Sequence, residues 1–159
     1  MYVTEIAYQI AALPMQWDKA GKLRVLLVTS RDTGRWVVPK GWLMEGKTQQ
    51  RAAEIEALEE AGAVGTVSKH PIGQYCYEKR YEGKESVPCR VTLYPMAVQK
   101  LKRRWKERNE RTRRWFSPSK AAELVDEKDL SRLLKSLSKD PKTVTVIEGL
   151  RRAAQDASN

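Results

Sequence analysis

Three glutamates, Glu56, Glu59 and Glu60, stand at i, i+3 and i+4 within a stretch free of glycine and proline. On a helix this spacing projects their carboxylates from one side, within reach of a common ion. Like charges so spaced repel by roughly 0.2–0.5 kcal/mol per pair, so the group needs either full solvation or a cation. Ligands made only of hard oxygen suit Mg2+ or Mn2+. A divalent ion held there would neutralise phosphate oxygens and lower the pKa of a bound water, which is metal-assisted hydrolysis. An ordinary solvated helix face has the same spacing, so the setting decides between the two.

The elements that must position these residues are legible on either side. From Thr48 to Ala61 good helix formers dominate, and Gly62 supplies the stop. Ala53, Ala57 and Ala61 recur at i, i+4 and let that helix sit close against a sheet. Before it, Trp36-Val37-Val38 reads as a short strand ended by Pro39 and followed by a loop through Gly41 and Gly46. Residues 4–13 and 23–30 are strands around a turn at Asp18-Lys19-Ala20-Gly21. After the helix, 63–69, 72–79 and 87–98 read as strands. A stretch from Lys100 to Arg114 then carries nine basic and two acidic residues. Ser117 or Ser119 caps a helical pattern through Ala121, Ala122, Leu124 and Val125, and helical segments around 127–137 and 141–154 follow. With no repeat, low-complexity tract or linker, the expectation is one domain over 1–159, layered from sheet and helices.

Lysine and arginine number 30 against 20 acidic residues, a formal charge of +10 that favours an anionic partner. Nucleic acid, a membrane surface and polyphosphate all satisfy it. Apolar runs fall well short of the roughly 18 residues a membrane-spanning helix needs. The opening Met1-Tyr2-Val3-Thr4-Glu5 lacks the basic start and apolar centre of a secretory signal, so the expectation is a cytoplasmic protein. Two cysteines, Cys76 and Cys89, and one histidine, His70, do not make a zinc site. If Glu82-Gly83 is a tight hairpin turn, the two cysteines face each other across the strands.

Around the glutamates, residues 39–65 resemble the signature box of the Nudix family. Gly41 stands at its first glycine, Glu56 at the glutamate that follows the arginine position, Glu59 and Glu60 at the paired glutamates and Gly62 at the last glycine, with no gap. Lys47 replaces the box's first glutamate and Ile55 its arginine, a joint loss that leaves no orphan charge. Outside the box, Leu26-Leu27-Val28-Thr29-Ser30-Arg31, Gly34-Arg35-Trp36, Pro39-Lys40-Gly41 and Arg113-Arg114-Trp115-Phe116 are similar to a bacterial branch related to diphosphoinositol polyphosphate phosphohydrolases. The resemblance implies an α/β fold, an α/β/α sandwich with a mixed sheet, and Mg2+-dependent or Mn2+-dependent cleavage of phosphoanhydride bonds. It implies Glu56, Glu59 and Glu60 as metal residues, with Glu56 and Glu60 first and Glu59 a third ligand or the base. Glu56 and Glu59 are thus the catalytic candidates.

Arg31, Arg35, Lys40 and Arg90 are candidate phosphate contacts, with Gly41 in the substrate loop. Glu82, Glu85, Glu107 and Glu110 are further candidates for the base. Diphosphoinositol polyphosphates, dinucleoside polyphosphates and smaller nucleoside diphosphate derivatives compete as substrates, and the charge favours the first two. The alternative is a nucleic-acid-binding module that has lost catalysis and uses Lys100 to Arg114 as a backbone strip, with Trp105 and Trp115 to stack or pack. Three clustered glutamates would repel such a backbone unless a metal intervened, which favours the enzyme. Oligomeric state is not legible.

Overall fold

A computed structural model describes residues 5–81, 83 and 85–158. Its eight strands are β1 (Ala7–Trp17), β2 (Leu23–Thr29), β3 (Trp36–Val37), β4 (Lys40–Trp42), β5 (Ala63–Val67), β6 (Gly73–Lys79), β7 (Val87–Leu101) and β8 (Arg113–Phe116). The helices are α1 (Gln49–Ala61), α2 (Pro118–Leu124), α3 (Lys128–Lys135) and α4 (Pro141–Ser158). All strands join one sheet in the order β3-β2-β1-β7-β5, with β4 added on β1, β6 on β7 and β8 on β2. The long central strands β1 and β7 run parallel, and the other pairings are antiparallel, so the sheet is mixed.

Period-two alternation in the central strands feeds two cores. Ala11, Leu13, Met15, Val25, Leu27, Val91 and Leu93 pack with Ala121, Leu130, Leu134, Ile147 and Leu150 of α2, α3 and α4. Ile10, Ala12, Leu26, Val28, Tyr94 and Met96 pack on the other face with Ala53, Ala57 and Ala61 of α1. The helix that carries the glutamates is therefore held alone on its face by an alanine stripe, in an α/β/α sandwich. Among the described residues, no helix is long and apolar enough to cross a membrane.

β1 runs past the expected end at Leu13 and straight through Pro14. The cause is a split edge: β4 pairs with Gln9 to Ala11, β2 pairs from Met15 onward, and Pro14 falls between, where its missing N–H removes no ladder bond on that side. Strands β4 and β8 were not expected, because glycines mask the first and an arginine-rich stretch the second. The register pairs Cys76 with Arg90 and Cys89 with Tyr77, so the two cysteines point to opposite faces and do not meet, contrary to the hairpin expectation. Glu82 lies outside the described residues.

Between β5 and β7 the register shifts at Val64/Gly65. A Cβ on Gly65 would lie 2.9 Å from both the Ala97 carbonyl carbon and the Val98 Cα, which are backbone atoms that cannot swing away. Gly65→Ala is expected to cost about 2 kcal/mol, in the range of overpacking penalties. A lowered urea midpoint with an unchanged slope would show it, whereas an unchanged midpoint would mean that the strands lie farther apart here.

Candidate active site

The glutamate helix is fixed at both ends. The Thr48 hydroxyl accepts from the Arg51 amide at 3.1 Å, and Gly62 closes the helix in the left-handed region at φ 65°. Beyond that, the 102–113 segment donates to four successive carbonyls of the helix end. Glu107 N reaches Glu59 O at 3.1 Å, Trp105 Nε1 reaches Glu60 O at 3.0 Å, Arg113 Nη1 reaches Ala61 O at 2.9 Å and Lys102 N reaches Gly62 O at 2.8 Å. The Arg113 guanidinium also lies 3.9 Å over the Trp105 ring. A cation at a helix C-terminus complements the macrodipole as well as the orphan carbonyls.

This lattice revises the reading of the basic stretch as a strip. Arg111 and Arg113 turn inward, and Trp105 lies beneath a guanidinium with its N–H used. Lys100, Lys102, Arg103, Arg104, Lys106, Arg108 and Arg114 remain exposed.

Beside β4 and α1, a cavity of about 310 Å3 opens, reached by Glu56, Glu60, Glu107, Arg31, Lys40 and Arg111. Glu56 and Glu60 are 9% and 6% exposed, although they sit on the helix's charged side. Gly41 on β4 makes this possible: a Cβ there would overlap the Glu56 carboxyl, whose Oε2 would be 2.9 Å away. Because the colliding group is the end of a flexible side chain, Gly41→Ala should spare the fold and evict the carboxyl. Activity is expected to drop at least about tenfold with a nearly unchanged melting temperature. A full rate in that variant would show that Glu56 needs no such seat.

Glu60 accepts from the Lys40 backbone N–H at 3.3 Å and lies 3.6 Å from Arg111 Nη2. Arg111 donates through Nε to Glu107 at 2.8 Å and through Nη1 to the Thr29 carbonyl at 3.0 Å. These three side chains are 8–12% exposed, a buried charged triad in which the guanidinium supplies the positive charge. Glu59 stands apart, a third exposed and 3.6 Å from Lys106. With about 100° of rotation per residue, the i, i+4 pair shares one direction, while i+3 diverges from i+4 by a full residue step. So the helix brings Glu56 and Glu60 together, leaves Glu59 outside the cavity's lining, and Glu107 takes the inward place. Among the described residues, no three acidic, histidine or cysteine side chains already converge as a metal-ligand set.

Burial pushes the Glu56 carboxyl up to about 8, aided by its hydrogen bond to Glu60 and by the neighbouring charges of Glu60, Glu59 and Glu107. Glu60 is also raised by burial, against the pull of Arg111 and Lys40. Burial lowers Lys40, with Glu60 and Glu127 opposing. A raised carboxyl means that the folded state holds its proton while the unfolded chain releases it. Stability from Glu56 is therefore present at acid pH and lost as pH rises from about 4.5 towards 8. In chelator, the melting temperature should fall across that window, and Glu56→Gln should flatten the fall. Parallel curves for the two proteins would contradict the buried proton.

Arg31 lies at the cavity mouth, 3.8 Å from both Glu107 and Glu110. Arg35 lines an adjoining cavity of about 730 Å3 that shares Lys40, Tyr77 and Lys79 with the first. There its guanidinium is held by Glu127 at 3.1 Å and Asp126 at 3.8 Å. Arg90 lines neither cavity: its register places it on β7 between Tyr8 and Cys76, which are both exposed. Of the expected base candidates, Glu107 reaches the cavity, while Glu85 and Glu110 are exposed. Sequence reasoning missed Arg111, Glu127 and Tyr77, whose hydroxyl donates to the buried Gln9 at 2.6 Å. Apart from the i, i+4 contact of Arg111 with Glu107, their partners lie tens of residues away, and no local spacing signals such contacts.

The sequence model of the NUDIX domain matches residues 7–137. Nudix hydrolase 12, mitochondrial, of Arabidopsis thaliana is 33% identical over 110 residues, covering 67% of this chain and 54% of that protein. The chain thus spans about half the length of the curated relatives it matches. Among solved structures, the C. elegans Ap4A hydrolase superposes with a TM-score of 0.59 at 20% identity, covering 84% of this chain and 97% of that one. The E. coli dihydroneopterin triphosphate pyrophosphohydrolase gives 0.62 at 18% identity, covering 85% and 97%. At these identities, the structural likeness speaks to the fold.

Proposed function

The chain belongs to the Nudix family, and from that premise we propose that it is a pyrophosphohydrolase that cleaves phosphoanhydride bonds with the help of a divalent cation. The observation that carries this reading is the inward pair Glu56 and Glu60, joined by Glu107 in one cavity beside Lys40 and Arg31. Two neighbouring carboxyls raised by burial, in a seat that Gly41 keeps open, fit a hard divalent ion. Glu56 and Glu60 would hold it, with Glu59, turned towards Lys106, the outward member of the family's set. When bound, Mg2+ or Mn2+ supplies charge neutralisation at the phosphate oxygens and a water of lowered pKa.

The chain's own residues do the rest. Lys40 and Arg31 orient the phosphates, one as a point charge and the other as a fork. Arg111 holds Glu107 in place, and Glu107 takes the proton of the attacking water, a role for which it is better placed than the outward Glu59. The reading includes residues 1–159 as one catalytic domain and a cytoplasmic setting.

Substrate class is part of the same proposal. The charge of +10 favours a polyphosphate, either a diphosphoinositol polyphosphate, as the similarity noted in the sequence suggests, or a dinucleoside polyphosphate, as the Ap4A hydrolase likeness suggests. Purified protein with Mg2+ should release phosphate from at least one of a diphosphoinositol polyphosphate, a dinucleoside polyphosphate and a nucleoside diphosphate sugar. No release from any of them, together with steeply salt-dependent binding of an oligonucleotide, would favour the nucleic-acid-binding alternative.

A further inference from the structure

We propose that the 730 Å3 cavity beside the glutamates takes the uncharged ring of the substrate, and that Glu127 accepts a hydrogen bond from a donor on that ring. This deepens the phosphoanhydride reading and rests on it. The Glu127 side chain is 5% exposed, and its Oε2 is taken by Arg35 Nη1 at 3.1 Å. Its Oε1 is buried without a hydrogen-bond partner among the described residues. A buried acceptor left unmet is costly, and charged acceptors more so. The terminal torsion of a glutamate is soft, so this oxygen can turn to a donor lodged in the cavity while the backbone stays put.

The cavity's position and charge say what such a donor belongs to. Because Lys40, Tyr77 and Lys79 border both cavities, a phosphate chain seated at the glutamates continues into this one. Its walls carry four basic residues, Arg35, Lys40, Lys79 and Arg80, against four acidic ones, Asp32, Glu78, Asp126 and Glu127. That balance offers no net attraction to further phosphates. A densely phosphorylated ring would set anionic oxygens against Glu127 with nothing to donate. A ring with free hydroxyl or amino groups supplies the missing donor. The class is therefore a nucleoside or sugar joined through a phosphoanhydride.

The test is calorimetric binding, with Mg2+, of the α,β-methylene analogue of adenosine diphosphate, its 2′,3′-dideoxy form and its form with unsubstituted purine as the base. The first comparison removes ring hydroxyls and the second removes the exocyclic amino group. Wild-type protein should prefer the complete ligand to at least one deleted form by about tenfold or more, since a buried acceptor left unpaired discriminates strongly. In Glu127→Gln the amide oxygen is claimed by Arg35, so its NH2 faces the ligand's donor, and the preference should shrink to within about twofold. Glu123→Gln, an exposed partner of Lys120 on α2 that lines neither cavity, should keep the preference and serves as the folding control. Equal binding of all three ligands by wild type, or a preference that survives Glu127→Gln, would overturn the inference. Hydrolysis of the unmodified diphosphates, read in parallel, separates the two claims: cleavage without discrimination removes only this inference, and discrimination without cleavage removes only the activity.

Discussion

Glu60→Gln is expected to lower turnover at least about a hundredfold and to leave the protein folded. The amide matches the carboxyl in size, so the seat beside the Lys40 backbone N–H and Arg111 stays filled. What disappears is the charge that a divalent ion would use. Burial already works against that charge in Glu60 and in Glu56, so neutralising either one removes a penalty from the fold. The signature is therefore a large fall in kcat with a melting temperature that holds or rises, and Glu56→Gln should show the same. An unaltered rate in either variant would make the glutamate face decorative. Loss of rate together with loss of folding would instead assign these residues a structural part.

The chain yields some of this account residue by residue and withholds the rest for physical reasons. Helix α1 was legible because its signals are local: the Thr48 cap, the alanine stripe and Gly62 all act within a few residues. The pairing of Glu56 with Glu60 follows from helical pitch, and the same pitch argues against Glu59, which shared spacing alone did not reveal. Strand β4 escaped notice because Gly41 resembles a loop residue, whereas its absent side chain is what admits Glu56. The 102–113 segment looked like a solvated or polyanion-binding strip because sequence shows charge but not direction. Folding turns Arg111 and Arg113 onto Thr29 and Ala61, contacts that span 82 and 52 residues.

The two departures from the box, Lys47 and Ile55, acquire a setting here as well. Lys47 is exposed and Ile55 half-buried, and support for the helix end comes from Trp105, Glu107 and Arg113 of that distant segment. Register explains the remaining revisions. Arg90 was a reasonable phosphate contact by type alone, but its ladder position sets it between Tyr8 and Cys76.

The second large effect is removal of the cation, and it bears on the centre of the account. Without the ion, Glu56 is raised by burial and hydrogen-bonded to Glu60, and Arg111 supplies the positive charge near Glu60 and Glu107, so the cavity holds its shape but lacks the charge that phosphoanhydride cleavage requires. Phosphate release from the best substrate of the three classes should therefore rise and saturate with added Mg2+ or Mn2+, and fall to background in excess EDTA. The fold should persist in the chelator, since two cores and the 102–113 lattice hold it independently of any ion. The measurement is the initial rate of phosphate release as free Mg2+ is titrated from excess EDTA to saturation, with folding followed in the same samples. The account predicts no turnover in the chelator and full recovery on adding Mg2+; full turnover in excess EDTA by a folded protein would contradict it.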